Sequence, residues 1–343
     1  MRNDSVHTSE SNIWLHRFAV ITTCSTFFLI IAGGLVTSTD SGLAVPDWPL
    51  SYGQVMPPMV GGIFYEHGHR MVATFVGFLT TILALWLWRK EERKWVRTLG
   101  WFALFAVIAQ GLLGGLTVLF LLPIPISVSH ATLAQSFFAL TVFLALVTSP
   151  AWKRHQSFEL PAIGRIRSLS IAAAVAVFVQ LILGALMRHT QSGLAIPDFP
   201  LSYGRLIPPV DSSLLQSINE YRLYLDLPAV DMTQIWIHFA HRGGALVVTI
   251  ILLVLVRTIF REFKGDPKMR EPAVVLVLLL AFQIALGAMT VWTGKTVEIA
   301  TAHVAVGALL LATCVFVVSR SYKLYTMPTI AAEFSLAPQG GRA

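Results

Sequence analysis

Polar and apolar residues along this chain separate into long blocks rather than alternating. Stretches free of Asp, Glu, Lys and Arg cover residues 18–39, 71–88, 98–152, 168–187, 243–256, 272–294 and 299–319. Most are long enough to cross hydrocarbon, which takes roughly 20 residues of helix. The 98–152 block holds two helices, because Pro123 and Pro125 in its middle interrupt a continuous one. The 243–256 block is short and extends outward through residues 238–242. The pattern predicts eight membrane-spanning helices. The first block exceeds a signal-peptide core and lacks a small-residue cleavage pattern, so it reads as a retained helix.

Composition agrees, with 55% hydrophobic and 13% charged residues, against about a quarter charged in soluble domains. The net charge of +7 does not point to nucleic acid, because the cations gather in alternate loops. Arg89, Lys90, Arg93, Lys94 and Arg97 follow the second helix; Lys153, Arg154, Arg165 and Arg167 the fourth; Arg257, Arg261, Lys264, Lys268 and Arg270 the sixth. The positive-inside rule then puts both termini in the cytoplasm; the expected setting is the cell's inner membrane, crossed several times, with the lipid bilayer as first partner. Cys24 and Cys314 fall in separate helices and offer no redox pair.

The chain repeats itself. SGLAVPDWPLSYG at residues 41–53 returns as SGLAIPDFPLSYG at residues 192–204. Around these copies GGLVTSTDSGL from Gly33 faces GALMRHTQSGL from Gly184, and HRMVA from His69 faces HRGGA from His241. AQGLLGGLTV from Ala109 likewise faces FQIALGAMTV from Phe282, and the spacing onward to His130 and His303 is the same. The fold expected is therefore all-α, two tandem four-helix bundles of the same orientation, divided as residues 1–155 and 156–343. The main departure is an insertion of about twenty residues after Pro209, with Leu214, Leu215, Ile218, Tyr221 and Leu225 on one face of a short amphipathic surface helix.

Four histidines keep the repeat register: His69 and His241 opening the second and sixth helices, His130 and His303 opening the fourth and eighth. A lone histidine there is an ordinary hydrogen-bonded residue. Two on different helices of one bundle can take a flat cofactor from both faces, and imidazole is an axial ligand of haem iron. Arg70 and Arg242 follow the first histidine of each pair, placed either to fork a haem propionate or to snorkel. Gly111, Gly114, Gly115 and Gly287 let helices or a porphyrin approach closely. The halves differ at Glu66, three residues before His69 on the same helix face, where the second half has His238. A carboxylate there reads as a proton or cation group, or as a helix-terminal anion.

With Glu66-His-Gly-His69-Arg70, His130, His241-Arg242, His303 and the paired SGLxxPDxPLSYG loops in place, the chain resembles the heme A synthase family over nearly its whole length. The resemblance implies oxidation of the C8 methyl group of haem O to a formyl group, giving haem A for terminal oxidases. It also implies that His241 and His303 hold a haem b, while His69, His130 and Glu66 form the site for haem O. Partners implied are a haem O synthase, terminal oxidase assembly factors and an electron acceptor or donor. Some relatives carry a cysteine pair in an outer loop, which this chain lacks. The loops are expected to cap the two haem pockets. A di-haem b-type electron-transfer protein would use both pockets without needing Glu66, and a transporter of parallel repeats would leave the four histidines unexplained. An iron held by two histidines has no open position, so either one histidine releases or electrons leave through the porphyrin and water supplies the oxygen.

Overall fold

The computed structural model describes residues 12–154, 157–208, 211 and 213–326. Ten helices follow in order: α1 (Ile13–Ser38), α2 (Gly62–Lys90), α3 (Lys94–Leu119), α4 (Ile124–Thr148), α5 (Pro150–Arg154), α6 (Ile163–His189), α7 (Ser213–Tyr224), α8 (Met232–Glu262), α9 (Pro267–Trp292) and α10 (Val297–Leu324). Eight of them, all but α5 and α7, are long and apolar enough to cross a membrane. Two short strands, β1 (Phe158–Glu159) and β2 (Tyr325–Thr326), pair in parallel, and isolated bridges join Ser51 to Gln54 and Ser202 to Arg205 in the repeated loops.

The spans run beyond the charge-free blocks because their polar first turns stay inside the helix. His69 is therefore not in the first turn of α2, and His241 lies well inside α8. His130 and His303 sit in the second turns of α4 and α10. Asp231 caps α8, accepting from the Gln234 amide at 2.8 Å while Gln234 Oε1 accepts from the Asp231 amide at 3.0 Å, a reciprocal box that fixes the helix start. At the other end of α2, Glu91 accepts from Arg93 Nε at 2.8 Å and pairs with Lys153 at 3.4 Å.

In the first unit α1 packs on α2 and α4, and α3 on α2 and α4, so α2 and α4 stand at opposite corners of a four-helix ring. The second unit repeats the ring with α6, α8, α9 and α10. The units meet where α1 and α4 pack on α10, and α4 on α6. Each ring has its own core, one around Leu83, Leu87 and Leu144, the other around Leu252, Leu255 and Leu276, and Ile30, Phe138 and Ala308 join across the seam. Buried threonines meet the demand for satisfied polar groups by donating to carbonyls of the preceding turn, as Thr26 does to Thr22 at 2.8 Å and Thr80 to Val76 at 2.8 Å.

The insertion forms α7 as expected, but its buried face differs. Leu214, Tyr221 and Leu225 are exposed, whereas Ile218 and Arg222 are buried. The reason is that α7 packs on the repeated loop of the second unit, where a guanidinium finds carbonyls that a leucine cannot satisfy.

Candidate functional site

Each repeated loop is built around its aspartate. Asp47 accepts from the Tyr52 and Gly53 amides at 2.6 and 2.8 Å, and Asp198 from Tyr203 and Gly204 at 2.7 and 2.8 Å. The Gly53 amide, then that of Tyr52, holds the Asp47 carboxyl below the usual range against the opposing effect of burial. Tyr52 donates its hydroxyl proton to the Ala44 carbonyl at 2.7 Å, and Tyr203 does the same to Ala195. The Trp48–Pro49 and Phe199–Pro200 peptides are cis.

The loops are fastened to the histidine helices by the residues that differ between the units. Glu66, 3% exposed, accepts from the Val45 amide at 2.7 Å and from Arg70 Nη2 at 2.6 Å. His238, also 3% exposed, accepts from the Ile196 amide at 3.1 Å and faces Arg242 Nε at 3.2 Å. Arg70 donates Nη1 to the carbonyls of Asp47 at 2.8 Å and Leu50 at 2.9 Å. Arg242 donates Nη1 to Leu201 at 2.8 Å and Nη2 to Asp198 at 2.7 Å. Both guanidinium groups, which the sequence places either to fork a propionate or to snorkel, donate to loop backbone. His67 joins the first loop through Ser51 Oγ at 2.8 Å; its counterpart Phe239 packs in an apolar cluster with Ile196 and Ile235.

Below the loops, each of the four histidines lies against a glycine of the neighbouring helix. A Cβ at Gly33 or Gly114 would come within 3.1 Å of the Cε1 of His69 or His130, and at Gly184 or Gly287 within 3.2 Å of the Cε1 of His241 or His303. Gly33 and Gly184 were not singled out by sequence, although the repeat alignment contained them. Gly115 admits the Trp48 ring, which would lie 2.5 Å from an added Cβ. In the second unit Phe199 meets Trp292 edge-on at 6.0 Å.

Glutamines accompany the histidines. Gln110 Nε2 donates to the His130 carbonyl at 3.0 Å and faces its Nε2 at 3.4 Å; Gln283 faces His303 Nε2 at 3.4 Å. Gln180, missed by the sequence reading, donates to the His241 carbonyl at 2.8 Å. Its repeat counterpart is Leu29, so alignment of the halves gave no signal, though an amide inside an apolar run was one.

The donor set fits a haem. The His241 and His303 rings stand 6.5 Å apart between centroids. Two metal–nitrogen bonds of about 2 Å, plus roughly 1 Å from each ring centre to its nitrogen, come to about the same span. The Nδ1 atoms of His69, His130 and His303 are buried without a hydrogen-bond partner, a cost that a native site offsets when a ligand orients the ring.

Arg222 is the second residue the sequence reading missed. It is 1% exposed and donates to the carbonyls of Leu194 at 2.7 Å, Ala195 at 3.2 Å and Pro228 at 2.8 Å. The insertion carrying it has no counterpart in the first unit, where Leu43, Pro46 and Trp48 are exposed while Leu194, Pro197 and Phe199 are partly covered.

A family model described as COX15-CtaA, cytochrome oxidase assembly protein, matches residues 16–62 and 61–315. Among curated relatives, the heme A synthase of Lysinibacillus sphaericus is 26% identical over 297 residues, covering 86% of this chain and 91% of the relative. That of Halalkalibacterium halodurans is 28% identical over 310 residues, with 88% and 95% covered. That of Geobacillus kaustophilus is 26% identical over 324 residues, with 93% and 95% covered.

Proposed function

We propose, since this chain belongs to the COX15-CtaA family and is a multi-pass membrane enzyme of heme A biosynthesis, that it oxidises the C8 methyl group of haem O to a formyl group. The observation carrying this reading is the pair of histidine pockets in repeat register, of which the first has a buried carboxylate, Glu66, three residues before its histidine, whereas Glu298 on the helix of His303 is exposed. In the reading, residues 1–155 form the substrate unit, with His69 and His130 on the iron of haem O. Residues 156–343 form a unit whose His241 and His303 hold a resident haem b. When bound, that haem supplies one-electron redox chemistry beside the substrate.

The chain's own residues position and protect. The two loops close the pockets against water, drawn down by Arg70 and Arg242 on their carbonyls. Glu66 shares a helix face with His69. Its Oε1 is paired with Arg70 and its Oε2 with the Val45 amide, so a positioned carboxylate, with Arg70 as its counter-ion, stands on the helix of the substrate pocket. There it balances positive charge developing on the substrate, or takes a methyl proton at Oε2 once the Val45 amide yields. Where water supplies the oxygen, taking the methyl group to formyl consumes one water and releases four protons and four electrons, and in that route the electrons leave to an acceptor outside this chain. The charge asymmetry of the loops puts both termini in the cytoplasm and both pockets on the outer side of the inner membrane. A haem O synthase that hands over substrate and assembly factors that take haem A are the partners this position suits.

The test is mass analysis of haem extracted from membranes expressing the protein with and without a source of haem O. Haem A forming only with both the protein and haem O supports the reading. Haem O returned unchanged beside a tightly kept haem b would favour a di-haem electron-transfer protein.

A further inference from the structure

A haem carries two propionates, and the arginines beside the histidines have their Nη donors engaged within the protein: Arg70 on Asp47, Leu50 and Glu66, Arg242 on Leu201 and Asp198. Two other cations stand at the mouth of the second pocket. Arg188 lies one turn beyond Gly184 on the same face of α6, and Gly184 is the glycine against the His241 ring. Its Nη2 is 3.3 Å from Asp40 Oδ1, a carboxylate that is 74% exposed. Lys295, between α9 and α10, runs past Gly193 of the second loop, with its Cδ 3.9 Å from the place of an added Cβ. No hydrogen bond from its ammonium is found among the described residues, and burial, followed by the charge of Arg188, lowers its pKa. Two half-buried cations thus share one exposed carboxylate, an arrangement short of negative charge.

Among the described residues the first unit has no such pair. Repeat register puts Thr37 opposite Arg188 and Leu122 opposite Lys295, with Leu122 and Lys295 both at positive φ, 58° and 68°, so the backbone is alike and only the charge differs.

We propose that Arg188 and Lys295 form a carboxylate-binding site at the mouth of the C-terminal pocket, taking the propionates of the haem held by His241 and His303. The proposal rests on the reading that this pocket holds a resident haem. It gives that residence a cause: the fork of Arg188 and the point charge of Lys295 grip the cofactor, while neutral Thr37 and Leu122 let substrate enter and product leave the other unit.

The test compares haem b with haem b dimethyl ester, which lacks free propionates, in the full-length protein in lipid nanodiscs, with release followed by transfer to apomyoglobin. The wild type is expected to release the ester about tenfold faster than haem b, the equivalent of one charge-assisted hydrogen bond. Arg188→Leu with Lys295→Leu should bring haem b to the ester's rate and leave the ester's rate unchanged, which also shows that the variant folds. Arg188→Lys should fall between. Equal release of haem b and ester by the wild type, or a haem b rate unaltered in the double variant, would overturn the site. The reading beneath it is checked separately: a low-spin spectrum that survives both His241→Ala and His303→Ala would withdraw the resident haem from this pocket and the propionate site with it.

Discussion

The Glu66 carboxylate accepts a hydrogen bond from the Val45 amide at 2.7 Å, and in the second unit His238 accepts the matching bond from Ile196 at 3.1 Å. One anchoring duty is thus done by two chemically different side chains. A histidine suffices to fasten the loop, so fastening does not explain why the first unit uses a carboxylate.

That comparison defines a substitution. Glu66→His should keep residues 41–53 as protected from hydrogen exchange as in the wild type, because the acceptor for Val45 is restored. Haem A formation should fall by roughly a hundredfold or more, the usual size of an acid–base contribution. Glu66→Ala should lose both. Normal haem A output from Glu66→His would leave Glu66 a loop anchor and nothing more. The reverse change, His238→Glu, should not create a second reactive pocket while haem b occupies it.

The glycine contacts predict a spectral effect without touching a ligand. In Gly184→Ala and Gly287→Ala the added methyl would lie 3.2 Å from an imidazole carbon and must push the ring, at a cost of about 1–3 kcal/mol for overpacking. The low-spin haem b spectrum should broaden or shift in these two variants and stay unchanged in Gly33→Ala and Gly114→Ala, whose rings belong to the substrate unit. His241→Ala or His303→Ala should abolish it. Four indistinguishable glycine variants would break the link between these contacts and the cofactor.

Glu91 should make the protein acid-sensitive on its basic face. Burial alone would raise its carboxyl, but hydrogen bonds from Arg93 and the charges of Arg93 and Lys153 bring it from 4.5 down to about 2. A folded-state pKa below the unfolded value means that this stabilisation is complete above pH 4.5 and lost as pH falls toward 2. Glu91→Gln should unfold at lower temperature at pH 7, with a smaller further loss between pH 5 and pH 3 than the wild type shows. Parallel melting curves for the two proteins across that range would rule the pairing out as the cause.

Much of this was legible because a membrane helix and a repeat both write themselves in long patterns. Charge-free blocks gave the spans, and two copies of one loop gave the matched positions of His69, His130, His241 and His303. What escaped depends on which neighbour a side chain meets. For Arg70 and Arg242 sequence shows a cation at the mouth but not the carbonyls of Asp47 and Asp198 curling back to it. Gln180 and Arg222 lie in only one half, so the alignment that revealed the histidines could not mark them. On α7 the apolar residues suggested one face; Leu215 and Ile218 of that face do pack against Ile196 and Ile235, but the docked face turns to include Arg222, since part of the surface it meets is backbone carbonyl.

Arg222 is also where the two loops should part in behaviour. It holds the carbonyls of Leu194 and Ala195 from a site 1% exposed to solvent, and nothing comparable reaches Leu43 or Ala44 among the described residues. Hydrogen exchange should therefore be slower across residues 192–204 than across residues 41–53 in the wild type, although their internal hydrogen bonds match. Arg222→Leu strips the Leu194 carbonyl of its charged donor and leaves the Ala195 carbonyl to the Tyr203 hydroxyl alone, a loss of about 1–3 kcal/mol for the group left unpaired, so exchange in residues 192–204 should rise at least tenfold while residues 41–53 stay as they were. Arg222→Lys should recover part of the protection, because one ammonium reaches fewer of the three carbonyls than the planar guanidinium does. Because the second loop covers the pocket of His241 and His303, the same variant should release haem b faster without altering its spectrum while bound. If both loops exchange alike in the wild type and Arg222→Leu changes neither, α7 is a surface ornament and the difference between a kept and an exchanged haem must come from the pockets alone.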